Sequence, residues 1–239
     1  YFGLHQQIRA LFHPTVLWRT IGEICATFLF LTALLHMEIA DITAILQVVP
    51  LMTTAAGAIF LAETVGWRRW TAIAVGFLGV LIVLRPGGDA FNIFGLLALA
   101  AMFFITLRDM VTRVMPAGMP TLLVAGLTSV AITIVSPAFD FGEGWVMPDP
   151  TALALLLGSA VFITVGYYAA IRAMRHGDIA VVAPFRYSVI VWAIIVGYLV
   201  WGDVPDLPML IGTAIIIVSG IYTFYRERRL AISGGRPGA

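Results

Sequence analysis

The sequence predicts an all-α integral membrane protein: eight transmembrane helices, of an expected ten, in two inverted-topology repeats. Three observations predict it. First, 61% of the 239 residues are hydrophobic and 11% are charged, whereas a soluble domain carries about 25% charged residues. A soluble chain of this length has no interior large enough for so much apolar surface, so lipid must be its solvent. Second, two long stretches are almost free of charge. Between Asp178 and Asp203 lie 24 residues of which only Arg186 is charged, and between Asp41 and Glu63 lie 21 uncharged residues. At 1.5 Å per residue the longer run makes about 36 Å of helix, enough for a bilayer core of roughly 30 Å. Third, both stretches follow one plan. Each contains a proline, Pro50 or Pro184, and each leads through a short polar turn into an apolar run with small residues.

Hydropathy places the eight spans in order. They run from Thr15 to Met37, Ile42 to Ala62, Trp67 to Leu84, Phe91 to Leu107, Pro120 to Pro137, Thr151 to Ala173, Ile179 to Gly202 and Pro208 to Tyr225. Arg85-Pro86-Gly87-Gly88 ends the third, because proline lacks a donor and glycine accepts turn geometry. The fourth ends in a charged turn, Arg108 to Arg113, and the longest loop is Asp140 to Pro150. The tail from Arg226 onward is expected to be a frayed helix end and then disorder.

Loop charge orients the spans. Twelve arginines fall in the N-terminal segment, alternate loops and tail: Arg9, Arg19, Arg68, Arg69, Arg108, Arg113, Arg172, Arg175, Arg226, Arg228, Arg229 and Arg236. The opposite loops hold only Arg85, with Glu38, Asp41, Asp89, Asp140, Glu143, Asp149, Asp203 and Asp206. The positive-inside rule then makes both ends cytoplasmic, in a bacterial-type inner membrane.

Spans one to three match spans six to eight in plan: a long helix, a tight junction, a proline-bearing helix, an acidic turn and a helix with small residues. The first junction carries Glu38 and the second Arg172 and Arg175, so the two sets point opposite ways. Residues 1–88 are thus expected to be the remainder of a first repeat, 89–229 a complete second repeat of five helices, and 230–239 a cytoplasmic tail. Inverted repeats are typical of secondary transporters.

Specific runs carry a family resemblance. Pro50, Glu63 with the turn Gly66-Trp67-Arg68-Arg69, and Ala183-Pro184-Phe185-Arg186-Tyr187 lie in stretches that resemble the two halves of EamA-type members of the drug/metabolite transporter superfamily. The resemblance implies ten helices in two inverted repeats, a central cavity and alternating access to a small-molecule substrate. The chain departs from that pattern in lacking the first two helices and in having Asp203 where glutamate is usual.

The candidate site residues are the polar and helix-breaking groups inside the spans. Arg186 lies eight residues past Asp178, about 12 Å into the membrane. An arginine there faces a cavity or a partner, and its fork suits an anionic group; the alternative is snorkelling to the interface. Pro50 and Pro184 each remove a backbone hydrogen bond, giving either a gating element or a static kink. Gln47, one turn before Pro50, can read a substrate or bond a neighbouring helix. Tyr167, Tyr168, Tyr187 and Trp192 can wall a flat substrate or simply pack. Glu23, four residues after Arg19, is either an ion-pair partner or a coupling carboxylate. Gly76, Gly79, Gly212 and Gly220 are expected at close helix contacts.

Other functions find little support. The sequence has no H-E-x-x-H, no G-x-S-x-G and no phosphate-cradling loop, so neither an enzyme nor a cofactor or metal is expected. The single cysteine, Cys25, rules out an internal disulfide, and a net charge of +1 argues against a nucleic-acid partner. Oligomeric state is not legible. The expected partners are the lipid bilayer and a small organic metabolite.

Overall fold

Proline starts the first helix. In the computed structural model, which describes residues 13–62, 65–85, 93–116, 121–139, 147–176 and 187–234, helix α1 spans Pro14–Leu34. Pro14 needs no amide donor in the first turn, and His13 caps it by accepting the Thr15 amide on Nδ1 at 3.3 Å. The further helices among the described residues are α2 (Ile39–Leu46), α3 (Val49–Phe60), α4 (Trp67–Leu84), α5 (Ile93–Arg113), α6 (Thr121–Val135), α7 (Pro150–His176), α8 (Ser188–Trp201) and α9 (Leu207–Gly234). A 3-10 turn, Ser136–Ala138, follows α6. Among the described residues all regular structure is helical.

Among the described residues, five helical segments are long and apolar enough to cross a membrane: Pro14–Leu34, Ile39–Phe60, Trp67–Leu84, Ile93–Arg113 and Leu207–Arg226. Shorter apolar helices lie at Gly126–Ala138, Pro150–Gly166 and Ser188–Trp201, overlapping the other three expected spans. Large apolar side chains cover the outside: Phe60, Phe162 and Leu199 are each more than 70% exposed. Such a surface is stable against acyl chains and not against water.

Two sequence expectations are corrected. The second span is not one helix but two, α2 and α3, parted at Gln47 and Val48. Residues Arg108 to Arg113 are not a turn; they form the last helical residues of α5. The apolar segment of α9 ends at Arg226, beside the expected Tyr225, and the helix itself runs on to Gly234.

Helix ends are fixed by local chemistry. Gly202, at φ +77°, takes the left-handed conformation that closes α8, and the Asp203 amide donates back to the Gly197 carbonyl at 3.2 Å. This is the glycine-terminated cap in which a second bond spans the whole last turn. Asp206 then caps α9, its Oδ1 accepting the Met209 amide at 3.0 Å. Asp149 does the same for α7, accepting the Ala152 amide at 2.6 Å.

Two tight helix pairs flank the broken helix. Helices α1 and α5 run antiparallel: Arg19 meets Thr112 and Glu23 meets Arg108 at one end, and His36 stacks on Phe94 at the other. Helix α6 runs parallel to α1, through Arg19–Thr128 and a stacked Phe28–Phe139 pair at 3.7 Å. Helices α4 and α9 are antiparallel, with Gly76 beside Ser219, Gly79 beside Gly212 and Ile216, and Arg85 paired with Asp206. These are the close contacts expected of the glycines. Between the pairs, Ile42, Ala44, Ile45, Val48 and Leu51 are fully buried, in one cluster with Val80, Val83, Leu84, Ala98, Ala101, Met102, Met209 and Ile216.

Candidate substrate site

The break between α2 and α3 begins with a missing donor. Pro50 stands in the first turn of α3 and has no amide, so the Leu46 carbonyl lacks its usual partner four residues on. The backbone tightens just before it. The Gln47 amide donates to Ala44 at 3.1 Å and the Val48 amide to Ile45 at 3.0 Å, each three residues back rather than four. Regular spacing resumes where Met52 donates to Val48 at 3.0 Å. Thr53 and Thr54 then donate their hydroxyls to the Val49 and Pro50 carbonyls, a bond that bends helices further. Gln47 sits at the break and is buried, and among the described residues it is the one buried polar side chain of α2 and α3.

Helix α8 packs against α2. Gly197 lies beside Ile39 and Asp203, which sets the C-terminal end of α8 against the N-terminal end of α2. From that contact, Gln47 is eight residues down α2 and Tyr187 ten residues down α8, or about 12 Å and about 15 Å at helical rise. Both lie on the same side of that contact, so the break between α2 and α3 and the start of α8 stand at similar levels. Tyr187 is buried, with its hydroxyl end against Gly220 of α9. Trp192, farther along α8, is 64% exposed on the outer surface of the chain. Tyr167 lies on α7. Arg186, Pro184 and Glu63 lie outside the described residues.

Glu23 belongs to another part of the molecule. Its Oε1 accepts from Arg108 Nη1 at 2.8 Å, and its Oε2 lies 3.9 Å from Arg19 Nη2. Arg108 also donates to Asp109 at 2.9 Å, while Arg19 donates to Thr128 at 2.7 Å and to Thr112 at 3.2 Å. One end of α1, α5 and α6 is thus tied by a part-buried network. The sequence revealed only the Arg19–Glu23 spacing; Arg108, Thr112 and Thr128 are far away in the chain, and no local signal marks them as partners. At the opposite end, Glu38 comes under the influence of Asp203, Asp206 and Arg85. Partial burial and then the two aspartates push its carboxyl above the ordinary range. Among the described residues no group of three His, Cys, Asp or Glu side chains is placed to hold a metal ion.

The sequence profile of the EamA-like transporter family matches residues 93–225, more than half of the chain. The chain belongs to the EamA-like transporter family. A riboflavin transporter of Vibrio cholerae is 30% identical over 224 residues, covering 91% of this chain and 73% of that protein. An S-adenosylmethionine uptake transporter of Rickettsia conorii is 29% identical over 185 residues, covering 76% of this chain and 61% of that protein. A crystal structure aligns at a TM-score of 0.60 and 18% identity, covering 93% of this chain and 80% of the other, a likeness of fold alone. The EamA-like chain is accordingly a multi-pass integral membrane protein of a transporter family rather than an enzyme, and small molecules are the substrates of its named relatives.

Proposed function

We propose that this protein carries a small organic metabolite across the inner membrane by alternating access, with the substrate held between the broken α2–α3 helix and the start of α8. The observation that carries the reading is the break at Gln47 and Val48, inside the hydrophobic cluster and level with Tyr187. Transporters place irregular backbone where it lines a path through the membrane, and the freed carbonyl before Pro50 is such a group. Gln47, Tyr187 and Arg186 supply the recognition, with Tyr167 and Trp192 as further aromatic candidates. Pro50 and Pro184 are the bending points. A flat, heterocycle-bearing metabolite is the first class to try, because riboflavin and S-adenosylmethionine both carry one and are named for the relatives.

The inverted repeat belongs to the same reading. The antiparallel α4–α9 pair, with Gly76 against Ser219 and Gly79 against Ile216, supports a two-fold axis between equivalent third and eighth spans. The family match over 93–225 supports a second unit at 89–229 with a tail at 230–239. Arg19, Arg108 and Arg113 at one end of the α1–α5 pair, against Glu38, Asp203 and Asp206 at the other end of the molecule, support cytoplasmic termini.

The test is counterflow of riboflavin and of S-adenosylmethionine in proteoliposomes. Arg186→Gln and Gln47→Leu should each raise KM with the protein still folded. For Arg186→Gln the loss should be about 1.5–3 kcal/mol, the range for a hydrogen bond to a charged group, and Arg186→Lys should restore only part because it lacks the planar fork. Unchanged KM in both variants would remove the site from these helices. For topology, a cysteine placed near Gly144 should be labelled from outside and one near Arg113 should not.

A further inference from the structure

We infer that Gly220 of α9 is a positioning residue of the substrate site, acting through Tyr187; the inference rests on the site reading above. Tyr187 stands at the N-terminal end of α8, directly after Arg186. Its ring is buried, and the ring tip rests on the α9 backbone at Gly220. A Cβ at position 220 would overlap the Tyr187 hydroxyl and stand 2.6 Å from Cζ and 3.3 Å from Cε1. Nothing larger than hydrogen fits between the helix and the ring.

Gly220 differs from the other glycines of the α4–α9 pair. Gly79 and Gly212 lie against each other's carbonyls and the aliphatic side chains of the partner helix, and Gly76 lies against Leu51 and Ser219. Those contacts hold helices together. The three atoms nearest to a Cβ on Gly220 all belong to the one aromatic side chain of α8. Ser219 and Thr223 beside it turn their hydroxyls back to the Ile216 and Ser219 carbonyls of their own helix. At this level α9 thus offers the ring a bare backbone seat. Glycine is among the poorest residues for a helix interior, and the seat is the local reason for it here.

The seat fixes Tyr187 at both ends. Its Cα is held by the first turn of α8 and its ring tip by Gly220, leaving two side-chain torsions with nowhere to move. A methyl group at 220 would push the ring off α9, out of the place from which it is proposed to meet the substrate. The expected result is a weaker substrate interaction in a protein that still folds, because no helix–helix backbone contact is lost.

The experiment is a double-mutant cycle on the full chain in proteoliposomes, with riboflavin and S-adenosylmethionine as probes. Gly220→Ala should raise KM about tenfold with kcat within about twofold. In the Tyr187→Ala background, which lacks the whole ring, the same change should raise KM less than about threefold. A merely structural glycine would cost the same in both backgrounds, and that result overturns the inference. A second readout does not use transport. With 3-fluorotyrosine incorporated, the fluorine resonance deleted by Tyr187→Phe should shift in Gly220→Ala; an unshifted resonance also overturns the inference. If Arg186→Gln and Tyr187→Ala raise KM while Gly220→Ala does not, the inference alone fails. If Arg186→Gln and Tyr187→Ala leave KM unchanged, the site reading fails and takes the inference with it.

Discussion

Helices α1 and α5 are joined by charge, whereas α4 and α9 are joined through glycine. The first pair meets in a network of Arg19, Glu23, Arg108 and Asp109 with Thr112 and Thr128. The second pair meets at Gly76, Gly79 and Gly212, where one helix touches the other's backbone. Depth explains the difference. The network lies near a helix end, where guanidinium and carboxylate groups keep part of their hydration. Mid-helix there is only hydrocarbon, and apolar side chains gain nothing by leaving lipid for protein, so close approach of small residues must supply the attraction. The α4–α9 pair uses charge only where it too reaches an end, at Arg85 and Asp206.

The comparison breaks most easily at Gly79. A Cβ there would stand 2.8 Å from the Gly212 carbonyl oxygen, and backbone cannot step aside as a side chain can. Gly79→Ala should destabilise the protein by about 2–3 kcal/mol, the upper part of the range for overpacking. Thermal unfolding in detergent, followed by helicity, measures it. Gly126 of α6 is the control. Nothing stands within 4 Å of a Cβ at that position, so Gly126→Ala should stabilise by about 0.5–1 kcal/mol. Equal effects at the two positions would mean that the α4–α9 contact carries no strain.

A smaller effect is expected from the charged pair. Glu23→Gln removes the carboxylate shared by Arg19 and Arg108, although Arg108 keeps Asp109. The side chains are about a quarter exposed, so the loss should be about 1–2 kcal/mol, below that of a fully buried pair. The same variant separates the two roles open to Glu23. A structural tie leaves the pH profile of transport in place; a coupling carboxylate flattens it. The geometry favours the first outcome.

Pro50→Ala sharpens the comparison at the broken helix, which touches both pairs. Restoring an amide at position 50 offers the Leu46 carbonyl its missing partner, so stability should change by less than about 1 kcal/mol while transport slows. Unaltered counterflow rates would make the break a static kink.

The smallest effects belong to the acidic end. Arg85→Ala removes an exposed pair with Asp206 and should cost at most about 1 kcal/mol, less still in high salt. Glu38 gives the accompanying pH dependence. Its carboxyl is raised above the unfolded value of 4.5, so the folded state binds the proton more tightly. Stability from this group is therefore greatest at low pH and falls as pH rises through the folded value. Glu38→Gln should remove that fall, visible as a flatter melting temperature between mildly acidic and neutral pH.

What the sequence determined by itself was the solvent and the helical class of the elements. Low charge and long apolar runs are local or additive properties, so membrane class and helical content could be read residue by residue. The spacing of Arg19 and Glu23, the proline at 50 and the small residues of α4 and α9 were legible for the same reason: helical geometry fixes what a neighbour three or four residues away can touch. Tertiary structure alone decided the rest. A proline announces a lost hydrogen bond but not where the chain repairs it, so the second span read as one helix until its packing parted it at Gln47. The Arg108 to Arg113 run read as a turn because charges usually end spans; its helix continues because Arg108 and Thr112 find partners on α1, more than 80 residues earlier. Gly220 looked like one more packing glycine. Only the fold brings α8 across it and seats the Tyr187 ring there, because contacts between distant segments depend on how whole helices cross, and no local pattern encodes that crossing.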